Sequence, residues 1–164
     1  MKKFVSVILL IAVIIALAAC GSNKEIAYKN DVAVSAISEA TNAALENGSE
    51  MVIVPETYVN SIMKVDTANF TEFTVCKQAT GAVIDEYGIF KVKDVNCIDA
   101  TLAAINDYIE VTKNSSMIVE YMPEEMPKLD TAEARAMGEY VVFCILSEEG
   151  KAQLFSTVSK MIAE

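Results

Sequence analysis

The chain has no histidine and no tryptophan in 164 residues. Without histidine it lacks the commonest general base and the commonest transition-metal ligand. Ser-His-Asp and Cys-His nucleophilic catalysis are excluded outright. Without tryptophan an aromatic platform for stacking sugars is harder to build. Basic residues are also scarce, with 13 Lys and Arg against 23 Asp and Glu and a formal charge of −10. Such a surface repels phosphate backbones, which argues against nucleic-acid binding. It repels anionic lipid as well, so the folded part should stand off a bilayer. The sequence implies no cofactor and no metal.

What is present begins at the N-terminus. Lys2 and Lys3 precede a 16-residue run, Phe4 to Ala19, that is apolar except for Ser6. The run ends Leu17-Ala18-Ala19-Cys20-Gly21. A short positive start, a short apolar helix and small residues before a cut are the layout of a secretory signal peptide. The alternative, a membrane-spanning helix, needs roughly 20 apolar residues. The cysteine after the cut matches a bacterial lipobox, in which Cys20 receives a diacylglyceryl group and becomes the first mature residue. Two or more acyl chains anchor stably where one does not. The expected organisation is a signal peptide over 1–19, a lipidated cysteine and polar tether over 20–31, and one domain over 32–164. The expected location is the extracytoplasmic face of the cell membrane, held by the lipid on Cys20. Removing Lys2 and Lys3 takes the charge from −10 to −12. The 11-residue tether Gly21–Asp31 reaches at most about 36 Å extended.

Hydrophobic spacing predicts an α+β fold, with helices packed on a small antiparallel sheet. Asn30 or Asp31 is placed to cap a first helix running to Leu45, with Val34, Ile37, Thr41, Ala44 and Leu45 inward. A short helix after Pro55 carries Tyr58, Val59, Ile62 and Met63 on one face. Thr71–Lys77 and Asp85–Lys93 read as a hairpin. The longest helix starts at Asn96 with the stripe Ile98, Leu102, Ile105 and Ile109, expected to pack on that hairpin. Pro123 and Pro127 predict an irregular stretch. Asp130–Ala136 and Glu139–Leu146 read as strands joined at Gly138. The second has no polar alternation, so both its faces should be covered. Ser147 caps a final helix.

Cys76 and Cys144 lie in these apolar runs and are either core thiols or one disulfide. Asp85 and Glu86 are neighbours on a strand and point to opposite faces, so they form no facing carboxylate pair by themselves. Each is either part of a site with a distant partner or a strand-start charge paired with Lys91 or Lys128. Asp94, Asn96 and Asp99 suggest a calcium loop only until the missing glycine and closing glutamate are noticed. Helix capping is the other role for Asp94 or Asn96. The loop Tyr121, Met122, Pro123, Glu124, Glu125, Met126 and Pro127 is a candidate interaction loop, stiffened by its prolines and adaptable through its methionines. The other role for it is a connection with Tyr121 and Met126 packed beneath.

The stretch Ile84-Asp85-Glu86-Tyr87-Gly88-Ile89-Phe90-Lys91-Val92-Lys93-Asp94 resembles the signature of a family of small lipoproteins from Firmicutes. That family is catalogued as a domain of unknown function, number four-three-five-eight. Tyr121-Met122-Pro123-Glu124-Glu125 followed by Lys128-Leu129, and Gly138-Glu139-Tyr140-Val141-Val142, are similar to its later motifs. The resemblance runs from about Ala44 to the C-terminus. It implies an extracytoplasmic lipoprotein domain and assigns no catalytic residue. The sequence therefore supports a non-enzymatic module that binds an extracytoplasmic protein or small molecule. The alternatives are a small cell-wall hydrolase using Asp85, Glu86 or Glu125, and a purely structural accessory subunit.

Overall fold

The computed structural model describes residues 27–164. The expected signal peptide, Cys20 and the tether as far as residue 26 lie outside the described residues. Five antiparallel strands form one sheet in the spatial order β1-β2-β3-β5-β4. They are β1 Met51–Ile53, β2 Phe70–Gln78, β3 Glu86–Val92, β4 Glu133–Met137 and β5 Tyr140–Ile145. The helices are α1 Val34–Ala44, α2 Glu56–Ser61, α3 Ile98–Lys113, α4 Ser116–Tyr121, α5 Met126–Asp130 and α6 Glu148–Ile162. The fold is α+β, with helices on both sides of the sheet. Among the described residues no helix is long and apolar enough to cross a membrane.

Strand alternation divides the core in two. On β5, Val141, Phe143 and Ile145 face the side covered by α2 to α5. Tyr140, Val142 and Cys144 face the side covered by α1 and α6. All six are buried, as the unbroken apolar run predicts. Cys76 and Cys144 both pair with Tyr87, one from each side of β3. Two strand spacings are about 9.5 Å, beyond disulfide reach, and both thiols are free. Burial pushes the Cys144 thiol up to about 12, so it is inert as a nucleophile.

Several elements differ from the sequence expectation. The first helix starts at Val34 without a side-chain cap from Asn30 or Asp31. Its Val34 N–H instead donates to Glu72 Oε2 of β2 at 2.9 Å, so a carboxylate distant in sequence caps the helix. Its buried face includes Ser38, which meets the Tyr87 hydroxyl at 2.9 Å. The longest helix is phased differently from the predicted stripe. Thr101, Ile105, Tyr108 and Ile109 are buried, while Ile98 and Leu102 are partly buried. It lies chiefly on β4 and β5 and meets the β2–β3 hairpin through Tyr108 and Glu86. Ile62, expected inward on α2, is exposed. Pro123 and Pro127 open successive short helical turns, where a missing N–H costs nothing, so the stretch is not irregular.

The described chain begins beside its own end. Tyr28 forms an antiparallel bridge with Ala163. Lys29 N–H donates to the Ile162 carbonyl at 2.7 Å, and Glu164 N–H to that of Ala27 at 3.1 Å. Residues 27–31, expected in the tether, are therefore docked on the domain. They pass the β4–β5 turn, where Gly138 takes φ +64° and a Cβ would lie 2.8 Å from that of Tyr28. Glycine alone satisfies both constraints at no cost. Asn30 donates to Glu139, and Tyr140 to the Val32 carbonyl. One end of the sheet thus holds the chain's entry. The other holds β1, the starts of β3 and the ends of β2 and β5.

Candidate functional site

Asp85 and Glu86 diverge as neighbouring strand residues must, and each is answered by a different lysine. Lys128 on α5 pairs with Asp85 and, at 2.8 Å, with Glu125. Glu125 is buried and also accepts the Ile84 N–H at 3.0 Å. Burial works against the Lys128 charge, but the two carboxylates outweigh it and hold the ammonium above the usual lysine value. This triad ties the loop before β3 to the short helix α5. Met122 and Met126 are half-buried against the core, while Tyr121 and Glu124 are exposed. The expected loop therefore splits. Glu125, Met122 and Met126 hold it down, and Tyr121, which the connection reading packed beneath, faces solvent with Glu124.

Glu86 is 1% exposed and faces α2 and α3. Its Oε2 accepts the Tyr108 hydroxyl at 2.8 Å and the Tyr58 hydroxyl at 3.3 Å, and Lys77 Nζ stands 3.4 Å away. The two tyrosine hydroxyls are 2.6 Å apart, and Lys77 also donates to Tyr58 at 3.1 Å. Oε1 has no partner among the described residues. Burial raises the Glu86 carboxyl above the ordinary range, against the pull of Lys77 and the two hydroxyls. Burial, with the nearby Glu86 charge, likewise raises the Tyr108 hydroxyl. Both tyrosines thus stay protonated and donate, and the cluster pins two helices to the sheet.

That shift has a signed consequence for stability. At pH below the ordinary carboxylate value, Glu86 is protonated folded or unfolded, and its full contribution is present. As pH rises, the unfolded chain loses the proton first, so stability falls until pH passes the raised value and then levels. Urea melts of Glu86→Gln between pH 4 and 8 should lack this component. Identical pH profiles for the two proteins would contradict the assignment.

The remaining candidates are surface features. A groove of about 290 Å³ between α2 and α3 is lined by Ile62, Met63, Lys64, Ala104, Asp107, Tyr108 and Val111. A hollow of about 60 Å³ at the end of the sheet away from the chain's entry is lined in part by Glu46, Met51, Asp85 and Glu149. Among the described residues no three His, Cys, Asp or Glu converge as metal ligands. Asp94 is committed to capping, accepting the Asn96 N–H at 2.9 Å. Sequence reasoning missed Tyr58 and Tyr108 as partners of Glu86. They lie 28 and 22 residues away, and only the buried phase of α3 would have pointed to Tyr108.

The structure is an α+β sheet covered on both faces, with Asp85, Glu86 and Glu125 each paired with a lysine. The family model described as Domain of unknown function (DUF4358) matches residues 43–146. That is more than half of the chain, and the chain belongs to this family. The match ends at the close of β5, leaving α1 almost wholly, and α6 entirely, outside it. No curated protein and no solved structure matches the chain.

Proposed function

We propose that this chain is a membrane-anchored extracytoplasmic lipoprotein whose domain works by binding a partner, not by breaking bonds. The observation that carries the binding reading is the commitment of the acids. Asp85 and Glu125 share one ammonium, and Glu86 is buried under two tyrosines and a lysine. A hydrolase needs one acid and one base free to face a substrate. The layout of the sheet supports the anchor reading. Ala27, the first described residue, lies beside the C-terminal residues. Seven residues from Cys20 to Ala27 span at most about 24 Å. A lipid on Cys20 would hold that end near the bilayer and point the opposite end outward. Toward that outer end lie Val52 and Ile53 of β1 and the α4–α5 loop, next to Tyr121 at the end of α4, which is 72% exposed.

Two measurements test this. Cys20→Ala should block both cleavage and lipid attachment, so that the variant keeps its apolar N-terminal segment and incorporates no labelled glycerol or fatty acid. Normal cleavage and labelling of the variant would refute the anchor. Purified protein should release no soluble fragments from cell wall. Release that disappears in Glu125→Gln with the fold intact would replace the binding reading with the hydrolase.

A further inference from the structure

We propose that β1 is an open docking edge, taking an extended segment of a partner protein, rich in apolar and basic residues, as a sixth strand. The proposal rests on the binding reading above and names the chemistry of its partner. The bonding pattern of β1 fixes which way its backbone points. Ala79 N–H donates to the Glu50 carbonyl and Val54 N–H to that of Val75. Val52 is paired with Lys77 between them. In an antiparallel ladder every second residue bonds inward, so Glu50, Val52 and Val54 face β2. Met51 and Ile53 therefore turn their backbone groups to the open side. The Met51 N–H is returned to the Gly48 carbonyl. The Met51 carbonyl and both polar groups of Ile53 have no backbone partner among the described residues. Side chains do not shield them: Val52 is 49% and Ile53 71% exposed.

Natural sheets guard such edges with charge, proline or a bulge. The opposite edge is guarded. Arg135 of β4 pairs with Glu133, and its guanidinium lies 4.1 Å from the centre of the Phe155 ring. Residues 51–54 read Met-Val-Ile-Val, and the guards of this edge are the shortness of β1, Pro55 after it and the acids that flank it. An apolar edge whose flanking charges are all acidic stays open to strand addition by a non-acidic segment, where main-chain bonds give affinity and alternate side chains give specificity.

Charge selects the partner. Exposed Glu46 and Glu50 precede β1 and exposed Glu56 follows it, none in an ion pair among the described residues. The nearest strand cation, Lys77, is engaged by Glu86. A basic strand is attracted and an acidic one repelled. A second copy of this chain fits worse. Antiparallel β1–β1 pairing would bring these acids together and set the two chain entries at opposite ends of the joined sheet.

The test uses the full chain in detergent micelles and two seven-residue peptides, one alternating lysine with valine and one alternating glutamate with valine. The lysine peptide should slow hydrogen exchange of the Ile53 amide about tenfold or more, and the glutamate peptide should not. Ile53→Pro removes only an outward N–H, which edge strands tolerate, and should abolish binding of the lysine peptide. Ile53→Lys should weaken it strongly and serves as the second variant if the proline disturbs the fold. Unprotected Ile53, equal binding of both peptides, or full binding to both variants would overturn the proposal. So would protection that grows with protein concentration alone, which would assign the edge to a second copy. None of these outcomes bears on cleavage and lipid attachment in the Cys20 variant, so failure here and failure of the anchor are read separately.

Discussion

Phe143→Ala is expected to lower the stability of the domain by about 3–5 kcal/mol, the range for a fully buried phenylalanine. Phe143 lies on a central strand, stacks on Phe90 at 6.2 Å and meets Tyr108 edge-on at 6.4 Å. Its ring also occupies the space above Gly88, its cross-strand partner on β3. A Cβ at position 88 would overlap the Phe143 ring and sit 3.0 Å from Val75 Cγ2. Gly88→Ala alone should therefore cost about 1–3 kcal/mol through overpacking. The pair should not add, because removing the ring vacates the space the new methyl needs. Denaturant melts of both single variants and the double variant would measure this. Strict additivity would mean that Gly88 is there for another reason.

The second large effect separates two phases of α3. Ile105→Ala should cost about 2–5 kcal/mol, since Ile105 has no exposure and its loss leaves a cavity. Leu102→Ala should cost distinctly less, because Leu102 only fringes the core. Asp107→Ala, on the exposed side, should cost about 0.5 kcal/mol or less. Equal losses for Leu102 and Ile105 would restore the stripe that apolar spacing suggests. A loss for Asp107 as large as that for Ile105 would break the helix assignment itself.

That stripe shows where sequence and structure part company. Spacing counts apolar residues, and α3 buries Thr101 and Tyr108 in place of Ile98 and Leu102. Thr101 satisfies its hydroxyl on the Cys97 carbonyl at 2.8 Å, and Tyr108 satisfies its own on Glu86. A polar group with a partner costs little to bury, and the partner of Tyr108 is 22 residues away, invisible to a local pattern. β5 was legible for the opposite reason. Six apolar residues in a row leave no choice of face, so double burial follows from the run alone. Glu86 and Glu125 look like solvent charges in sequence. Their burial depends on Lys77 and Lys128, which only the assembled sheet and α5 bring to them. The Asp85–Lys128 ion pair was thus legible from charge alone, and the depth of Glu86 was not.

The boundary of the matched family segment has a practical consequence. A recombinant fragment cut to residues 43–146 would keep all five strands and the helices over Phe90 and Phe143. It would lose Val34 and Ile37 of α1 and the Leu154, Phe155, Val158 and Ile162 ridge of α6. Tyr87, Ile89, Val142 and Cys144 would then lie open on one broad apolar surface, large enough to drive association of the fragments. The segment that the family model matches is smaller than the two-sided core, and the segments flanking it, bridged at Tyr28 and Ala163, supply the difference.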